Sequence, residues 1–524
     1  MTVLLAGFVA FRGGVAVAQT AGAPASTTAQ RHFDIAEFRV EGNTVLTEVE
    51  IDRAVYDFLG PDKTASDVEK ARAALEAIYQ QKGYPTISAE VPEQRVADGV
   101  VVLKVAERTV GRLRVRGSRY HDLADIKAGA PSLAQGKVPH MPDLQRDIVA
   151  LNQWPDRAVT PSLRAGAAPG TVDVDLDVKD QFPGHATLEL NNRQSQDTTE
   201  LRLSGSLSYS DLWQRGDSAT VTFQVAPERP SDAEVFAGSY LFRIPDSQMS
   251  LLFSYLHSNS NVTTVGSTNV IGKGDVAGLR MLVPLGVGEG FIHTLSAGFD
   301  YKHFDDTITL GGSSTDAPVT YYPVTLSYQA SWVGERAETN LLTSFVFTFG
   351  GPGSGPAAFD FARFSARPGF AYLRTDLSRT QTLPDGIQFF GRLAGQLAGE
   401  PLISNEQFSL GGLDTVRGYL ESEALGDFGG ALQTEVRSPP ITEVAGLPLN
   451  DLRGFGFFDA GTVVLHNPLL QQRPSDVLTS TGVGLRLRLF DHVNGEVVAA
   501  FPLNDGPTTK AGNPRVLFRI YGDF

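Results

Sequence analysis

The stretch Leu410-Gly-Gly-Leu-Asp-Thr-Val-Arg-Gly-Tyr419 lies in a polar, glycine-rich segment between two runs of alternating apolar and polar residues. A later alternating run contains Phe457-Phe-Asp459-Ala-Gly461. The guanidinium of arginine is a planar fork that binds a carboxylate through two parallel hydrogen bonds. We therefore predict that Arg417, in the loop, pairs with Asp459, on the strand. Without the second run, Arg-Gly-Tyr would indicate only a solvated surface loop.

Composition narrows the class of protein. At 524 residues the chain is too long for one ordinary domain, and it contains no cysteine, which excludes disulfides and thiolate metal sites. A net charge of -15 disfavours nucleic-acid binding, which needs basic patches. Neither HExxH nor GxSxG occurs, and Gly272, Gly274 and Gly278 lack the βαβ context of a nucleotide site. We predict no enzymatic activity, no cofactor and no metal site.

Residues 1–18 are largely apolar and end in Ala16-Val-Ala18, a pattern typical of a signal-peptide cleavage site. Basic residues usually precede the apolar region of a signal peptide. Because they are missing here, we interpret residues 1–18 as a truncated signal peptide that starts upstream of Met1. An ordinary buried N-terminal segment is the alternative. Residues 19–32, rich in Ala, Thr and Ser, are predicted to be a linker.

Residues 33–108 and 109–180 are predicted to form two similar α+β repeats in the order β-α-α-β-β. In the first repeat, a strand at 35–40 precedes two helices, whose starts are indicated by capping boxes at Thr47 and Ser66. Further strands are predicted at 86–91 and 100–105. The second repeat has strands at 110–115, 158–164 and 171–178. Neither repeat concentrates catalytic residue types, so we interpret both as binding modules.

From residue 181 to residue 524, short alternating segments follow one another and helical periodicity disappears. Leu203 and Leu207, for example, share one face of a segment, whereas Arg202 and Ser204 share the other. About sixteen such segments predict a mainly β protein with a 16-stranded antiparallel transmembrane β-barrel. Closure of the barrel is expected because lipid cannot form hydrogen bonds with the backbone groups at an open sheet edge. A soluble sandwich also alternates, but it would not usually need so many strands. Long polar loops are expected at 305–319 and 350–361.

These features resemble the outer-membrane transporters of two-partner secretion, the haemolysin and filamentous-haemagglutinin secretion type, over nearly the whole chain after residue 30. Phe38-x-Val-x-Gly-Asn-Thr44 and Lys82-Gly-Tyr84 are similar to motifs of the POTRA module. The resemblance implies two POTRA domains and a loop at about 400–426 that folds into the barrel. The lumen-loop motif would be Val416, Arg417, Gly418 and Tyr419, and its partners on the barrel wall would be Phe457, Asp459 and Gly461.

The resemblance also implies a function. The protein would lie in the bacterial outer membrane with its POTRA domains in the periplasm, and would pass an unfolded secreted exoprotein through the barrel to the cell surface. Its partners would be that exoprotein and outer-membrane lipid, and it would act as a monomer. The residues between Gln19 and Phe33 are too few for the plug helix that some family members carry, so this helix would be absent unless sequence upstream of Met1 supplies it. An outer-membrane assembly insertase is the alternative, although insertases more often carry more than two POTRA units. A passive porin has no need of tandem periplasmic modules.

An unfolded client could add itself as an extra strand to an exposed sheet edge, where backbone hydrogen bonds supply affinity with little demand on sequence. We predict this edge in the strand after the second helix of each repeat. It would comprise Thr86, Ile87, Ser88 and Ala89 in the first repeat and Leu163 in the second. Ile87 and Leu163 would line a groove beside the edge, although either could instead be an ordinary core residue.

Several arginines fall on the polar face of the predicted strands. A lumen lined by arginine would favour anions over cations, although the same residues could merely solvate a water-filled pore. The positions are Arg202, Arg392, Arg486, Arg488 and Arg519.

Overall fold

The computed structural model describes residues 31–524 except residues 97, 153, 155, 246, 261, 266–267, 289, 311–312 and 443–448. The predicted signal peptide and most of the predicted linker lie outside the described residues. The chain divides into two compact units. The first comprises residues up to 116 with 127–151 and 159–177, and the second comprises 117–126, 152–158 and 178–524. None of the described helices is long and apolar enough to cross a membrane.

The first repeat is an α+β module with one hydrophobic core. Its elements are β1 (Phe33–Ile35), β2 (Glu37–Glu41), α1 (Glu48–Val55), β3 (Gly60–Lys63), α2 (Ala65–Gln81), β4 (Ser88–Glu90) and β5 (Val100–Ala106). β5 lies between β2, its parallel neighbour, and β4, its antiparallel neighbour, while β1 pairs with β3. Leu75 and Tyr79 of α2 are fully buried in one cluster with Leu103 of β5. The two predicted helices and the strand predicted at 100–105 are present. The strand predicted at 35–40 is divided between β1 and β2, the strand predicted at 86–91 is only three residues long, and the small β1–β3 sheet is additional.

Both helices of this repeat begin at a capping box. The predicted box at Thr47 is present at the start of α1. α2 begins at Thr64, whose partner is Asp67, so the predicted start at Ser66 is wrong. Thr64 and Ser66 both fit the capping pattern, because each has an acidic residue three positions later. β3 ends at Lys63, so Thr64 is the first capping residue after the chain leaves the sheet.

The motif Lys82-Gly-Tyr84 follows α2 and connects three parts of the first unit. Lys82 forms an ion pair with Glu50 of the α1 capping box, and this hydrogen bond is the main cause that lowers the pKa of Glu50 to about 2. Gly83 has a φ of +87°, and a β-carbon there would lie 2.6 Å from Cδ of Pro142. The N–H of Met141 donates to the carbonyl of Gly83 at 2.8 Å. Glycine is therefore required by both the backbone angle and the close approach.

The second repeat contains β6 (Thr109–Arg116), α3 (Leu123–Ala128), α4 (Met141–Leu151), β7 (Arg157–Ala165) and β8 (Thr171–Asp180), with its sheet in the order β6-β8-β7. One detail shows that it repeats the first. Gly42 and Gly117 both have a φ of +86°, and a β-carbon at either would lie 2.4 Å from a carbonyl oxygen, that of Val105 or Val178 respectively. The same glycine turn thus follows the first long strand of each repeat.

Gly42→Ala is expected to destabilise the first repeat. A non-glycine residue in the left-handed region costs about 1–2 kcal/mol, and the clash with the Val105 carbonyl adds to this cost. Limited proteolysis of the full-length protein should therefore cut this repeat faster. Gly136→Ala is the matched control, because Gly136 has a φ of +87° and no atom within 4 Å of its β-carbon position. Equal protease sensitivity of the two variants would contradict a steric role for Gly42.

The second unit contains the barrel. Its strands and helix are β9 (Gly184–Asn191), β10 (Arg202–Leu212), β11 (Asp217–Val225), β12 (Glu234–Arg243), β13 (Ser250–Ser258), β14 (Val262–Val265), β15 (Thr268–Ile271), β16 (Gly274–Gly288), β17 (Phe291–Leu310), β18 (Ser313–Tyr321), β19 (Val324–Val333), β20 (Ala337–Phe347), α5 (Pro356–Ala362), β21 (Ala371–Thr382), β22 (Gln388–Ala398), β23 (Phe408–Leu410), β24 (Ala424–Gly426), β25 (Phe428–Arg437), β26 (Leu449–Val464), β27 (Ser475–Leu489), β28 (Val493–Pro502) and β29 (Arg515–Asp523).

The wall is a closed antiparallel barrel in which β9 pairs with β29. β14 pairs only with β15, and β23 only with β24, so these hairpins lie outside the wall. β18 and β19 both pair with β17 and form one wall strand interrupted at Tyr322 and Pro323. Counted in this way, the wall has sixteen strands, and the predicted number is confirmed. The predicted long loop at 305–319 is wrong, because β17 and β18 continue through most of it as a hairpin.

The two faces of the wall differ as the alternation predicts. On the outer face, large apolar side chains are exposed, such as Val221 and Val483, each 60% exposed. On the inner face, polar side chains are buried, such as Gln433 and Asp459. An apolar exterior around a polar interior is the arrangement of outer-membrane barrels, and it places the chain in the outer membrane.

Candidate functional site

The segment at 399–427, which connects β22 to β25, folds into the barrel and packs against its inner wall. Leu410 and Val416 are fully buried in one apolar cluster with Val463 and Leu478 of the wall. Gly461 makes this packing possible, because a β-carbon there would lie 2.4 Å from Cδ1 of Leu410 and 3.3 Å from Cγ2 of Val416. The glycine that ends the wall motif therefore leaves room for the loop.

Arg417 is held by Asp459 in a bidentate arrangement. Its Nε donates to Oδ2 at 2.7 Å and its Nη2 donates to Oδ1 at 2.8 Å, while its backbone N–H also donates to Oδ2 at 3.1 Å. The guanidinium stacks 3.8 Å above the ring of Phe457. Arg417 is 2% exposed and Asp459 is 0% exposed, so the pair lies out of contact with solvent. The structure thus brings the two sequence motifs together.

Glu435 is a third member of this site that the sequence analysis missed. Arg417 Nη1 donates to Oε1 of Glu435 at 2.5 Å. The same carboxylate accepts two hydrogen bonds from Arg486, at 2.8 and 3.1 Å, and one from Arg437, at 2.8 Å. Glu435 connects the loop arginine to two arginines of the wall. Its only sequence signal is its place on the polar face of an alternating strand, which it shares with many lumen residues.

The remaining residues of the loop motif are also fixed. Gly418 has a φ of +94°, which glycine adopts without strain. The hydroxyl of Tyr419 lies 2.9 Å from the carbonyl oxygen of Thr479 and 2.7 Å from that of Asn504. Beside the motif, Arg193 forms ion pairs with two acidic side chains of the loop, Asp414 and Glu421. The loop therefore has polar anchors on several sides.

A second buried carboxylate, Asp427, fixes the base of the loop. It is 0% exposed and accepts hydrogen bonds from Arg363 (2.8 and 3.2 Å), from the side chain of Gln407 (3.0 Å), and from the backbone N–H groups of Leu402 (2.9 Å) and His466 (2.6 Å). Arg363 follows α5, so Asp427 ties the β20–β21 connection to the lumen loop. Like Glu435, Asp427 belongs to no motif that its sequence would indicate.

The five predicted lumen arginines separate into three groups. Arg202 is 2% exposed and donates to the carbonyls of Thr199 and Leu201, so it does not line an open part of the lumen. Arg392 forms an ion pair with Asp376 on the inner wall. Three arginines line one cavity near the ends of their strands. They are Arg486, Arg488 and Arg519.

The predicted client edge of the first repeat is shorter than expected. β4 comprises only Ser88, Ala89 and Glu90, so Thr86 and Ile87 precede the strand. Ile87 is 4% exposed and belongs to the core cluster, which corrects its predicted place in an accessible groove. In the second repeat, Leu163 lies in β7, the edge strand of its sheet, and is only half-buried.

Side chains from α2 occupy the outer side of β4. The N–H of Ala89 donates to Oε1 of Glu76 at 2.9 Å, and its carbonyl accepts from Nη1 of Arg72 at 3.3 Å. Hydrogen bonds to Glu69 and Glu76 raise the pKa of Arg72. Because backbone direction alternates along a strand, Ser88 directs its N–H and carbonyl toward β5 instead. An added strand would have to displace both side chains from Ala89.

In the part of the chain that the structure describes, no group of three or more His, Asp and Glu side chains is arranged to bind a metal ion.

Comparisons with known proteins agree with this architecture. The family model described as POTRA domain, ShlB-type, matches residues 33–107, and the model described as haemolysin secretion/activation protein ShlB/FhaC/HecB matches residues 354–487. The second match includes both the loop motif and the wall motif. Each model therefore matches a part of the chain where the structure has the corresponding domain.

Full-length relatives extend the agreement. The chain is 25% identical over 490 residues to the outer membrane transporter CdiB of Escherichia coli O6:K15:H31 (strain 536 / UPEC), which covers 90% of this chain and 79% of that protein. It is 20% identical over 499 residues to the heme/hemopexin transporter protein HuxB of Haemophilus influenzae, which covers 93% of this chain and 87% of that protein. The solved structure of CdiB from Escherichia coli shares the fold, with a TM-score of 0.64, 20% identity and coverage of 96% of this chain and 93% of that chain. Together, the family-model matches and these relatives support an outer-membrane transporter of the two-partner secretion type, in which a transmembrane β-barrel follows POTRA modules.

Proposed function

We propose that this protein binds an unfolded secreted exoprotein in the periplasm and passes it through the barrel to the cell surface, acting as a monomer. The observation that carries the proposal is the buried cluster of Arg417, Asp459 and Glu435, which holds a long loop inside the barrel. A loop held there by noncovalent contacts can block the lumen at rest and move aside for a client. A passive porin would need neither this loop nor periplasmic modules.

A deletion strain tests the proposed function against the insertase alternative. A secreted exoprotein should disappear from the cell surface and medium when the chain is absent, and should return with a plasmid copy. The amounts of unrelated outer-membrane porins should stay unchanged. A general loss of porins would instead support an assembly insertase.

We propose that the client adds itself as a strand to β7, because the corresponding edge of the first repeat is occupied at Ala89. Pro161 lies within β7 and has no N–H to donate to β8. Proline is tolerated in an edge strand where the backbone nitrogen points away from the neighbouring strand, so we infer that orientation for Pro161. Leu163, two residues later, then directs its own N–H and carbonyl outward. The client-pairing groups of β7 would then be those of Leu163, which is half-buried.

Leu163→Pro is expected to weaken client binding by about tenfold or more, because it removes an outward hydrogen-bond donor and leaves the β8 side of the ladder intact. Leu163→Ala, which keeps the backbone donor, should bind nearly as the parent does. The measurement is the affinity of the full-length protein for an unfolded segment of the exoprotein that the deletion strain fails to secrete. Equal losses in both variants would indicate side-chain packing in a groove, and no loss in Leu163→Pro would exclude β7.

A further inference from the structure

A cavity of about 560 Å³ lies in the inner wall at the end of the barrel where the chain enters it. Arginine dominates its lining, which contains only two acidic residues, Asp451 and Glu496. Five positive charges thus face two negative ones. The lining arginines are Arg437, Arg453, Arg486, Arg488 and Arg519.

The wall satisfies these arginines incompletely. Arg488 donates twice to the backbone carbonyl of Asp491, at 3.1 and 2.7 Å, and this is a neutral partner. Arg453 reaches Asp451 through Nε at 3.0 Å, and Arg519 reaches Glu189 through Nη2 at 2.8 Å. Among the described residues, two buried donors in the lining have no hydrogen-bond partner, Nη1 of Arg453 and Nε of Arg519. One buried acceptor in the lining, Oδ1 of Asp451, also has none. Buried donors without partners are costly, so an anionic ligand would be favourable here.

We propose that this cavity binds carboxylate groups of an acidic segment in the unfolded client. Guanidinium groups bind carboxylates through paired hydrogen bonds, and several of them around one cavity can hold successive acidic side chains of an extended chain. The assignment to a polypeptide rests on the proposed function, in which an unfolded chain with acidic side chains passes along the lumen. Arg486, which lines the cavity, also donates to Glu435, so the bound segment would lie one ion pair away from Arg417.

The test is the binding of a fluorescent, flexible, glutamate-rich peptide to the purified full-length protein, measured by anisotropy. Its glutamine counterpart is expected to bind about tenfold more weakly or worse, since uncharged amides cannot form ion pairs with the lining arginines. Arg488→Gln should remove much of the preference for glutamate without affecting the fold, because Arg488 is exposed and donates to the backbone carbonyl of Asp491, a neutral partner. Arg453→Gln should do the same.

Arg379→Gln is the matched control. Arg379 lies on the outer face of the wall, on the same face of β21 as the exposed Leu377. The substitution therefore removes one charge outside the lumen. It should bind the glutamate peptide as the parent does. Equal binding of the glutamate and glutamine peptides would overturn the proposal, as would displacement by inorganic phosphate at the same concentration of charge. Neither result depends on the secretion assay. Failure of the cavity proposal in the peptide assay can therefore be distinguished from failure of the proposed function in the secretion assay.

Discussion

Arg417→Ala is expected to abolish or sharply reduce secretion while the barrel remains inserted in the outer membrane. The substitution leaves Asp459 and Glu435 buried, at 0% and 3% exposure, without the arginine that both of them bind. Removing one partner of a buried ion pair typically costs about 3–5 kcal/mol. The loop motif thereby loses its ion pairs to the wall, so the loop should shift even though its apolar contacts and its other polar anchors remain. The barrel wall should persist, because its strands pair through backbone hydrogen bonds.

Arg417→Lys separates charge from geometry. Lysine keeps the positive charge but cannot reproduce the paired hydrogen bonds to Asp459 or the stacking on Phe457. It should therefore secrete poorly as well, although better than alanine. Arg379→Ala, on the outer face, should secrete normally. Exoprotein in the medium and heat-resistant migration of the barrel on gels are the two measurements. Normal secretion by Arg417→Ala would show that the buried pair is not part of the transport machinery.

The second large effect is expected for Asp427→Ala. This change leaves Arg363, whose side chain is only 10% exposed, without its carboxylate, and removes acceptors from Gln407 and two backbone N–H groups. The cost is about 3–5 kcal/mol by the same reasoning. The β20–β21 connection and the base of the lumen loop should detach together. The folded barrel should consequently lose its heat resistance at a clearly lower temperature.

Asp376→Asn is the comparison for that variant. Asp376 pairs with Arg392 on the same inner wall, but both side chains are about a third exposed. Pairs in contact with water contribute about 1 kcal/mol or less, so this variant should stay close to the parent. If the two variants lost heat resistance equally, the burial of Asp427 would not be the reason for its effect.

The strand count and the Arg417–Asp459 pair could be predicted from the sequence, because each has a signal of its own. Alternation in the wall follows directly from an apolar exterior and a polar interior. Glu435 and Asp427 gave no comparable signal. Each is one acidic residue among many in polar surroundings, and its importance comes from partners distant in sequence, such as Arg363 and Arg486.

The errors in the repeats and loops have a common origin. Local patterns offered two equally good choices, and tertiary contacts selected between them. Thr64 and Ser66 were both suitable helix caps, and the end of β3 selected Thr64. Ile87 fitted both a groove and a core, and packing beneath the sheet placed it in the core. The polar composition of 305–319 indicated a loop, whereas pairing between β17 and β18 extends the hairpin through it.

Passage of the client through the barrel is tested most directly by crosslinking a stalled client to single positions in the wall. A photoreactive residue would replace Arg488 or Asn494, which line the inner cavity, or Leu485 or Val497, which are exposed on the outer face of the same two strands. A folded domain fused to the end of the exoprotein would stall it during transport. We predict crosslinks at Arg488 and Asn494 and none at Leu485 and Val497. Crosslinks confined to the outer positions, or no crosslinks at the inner positions while secretion continues, would contradict transport through the lumen.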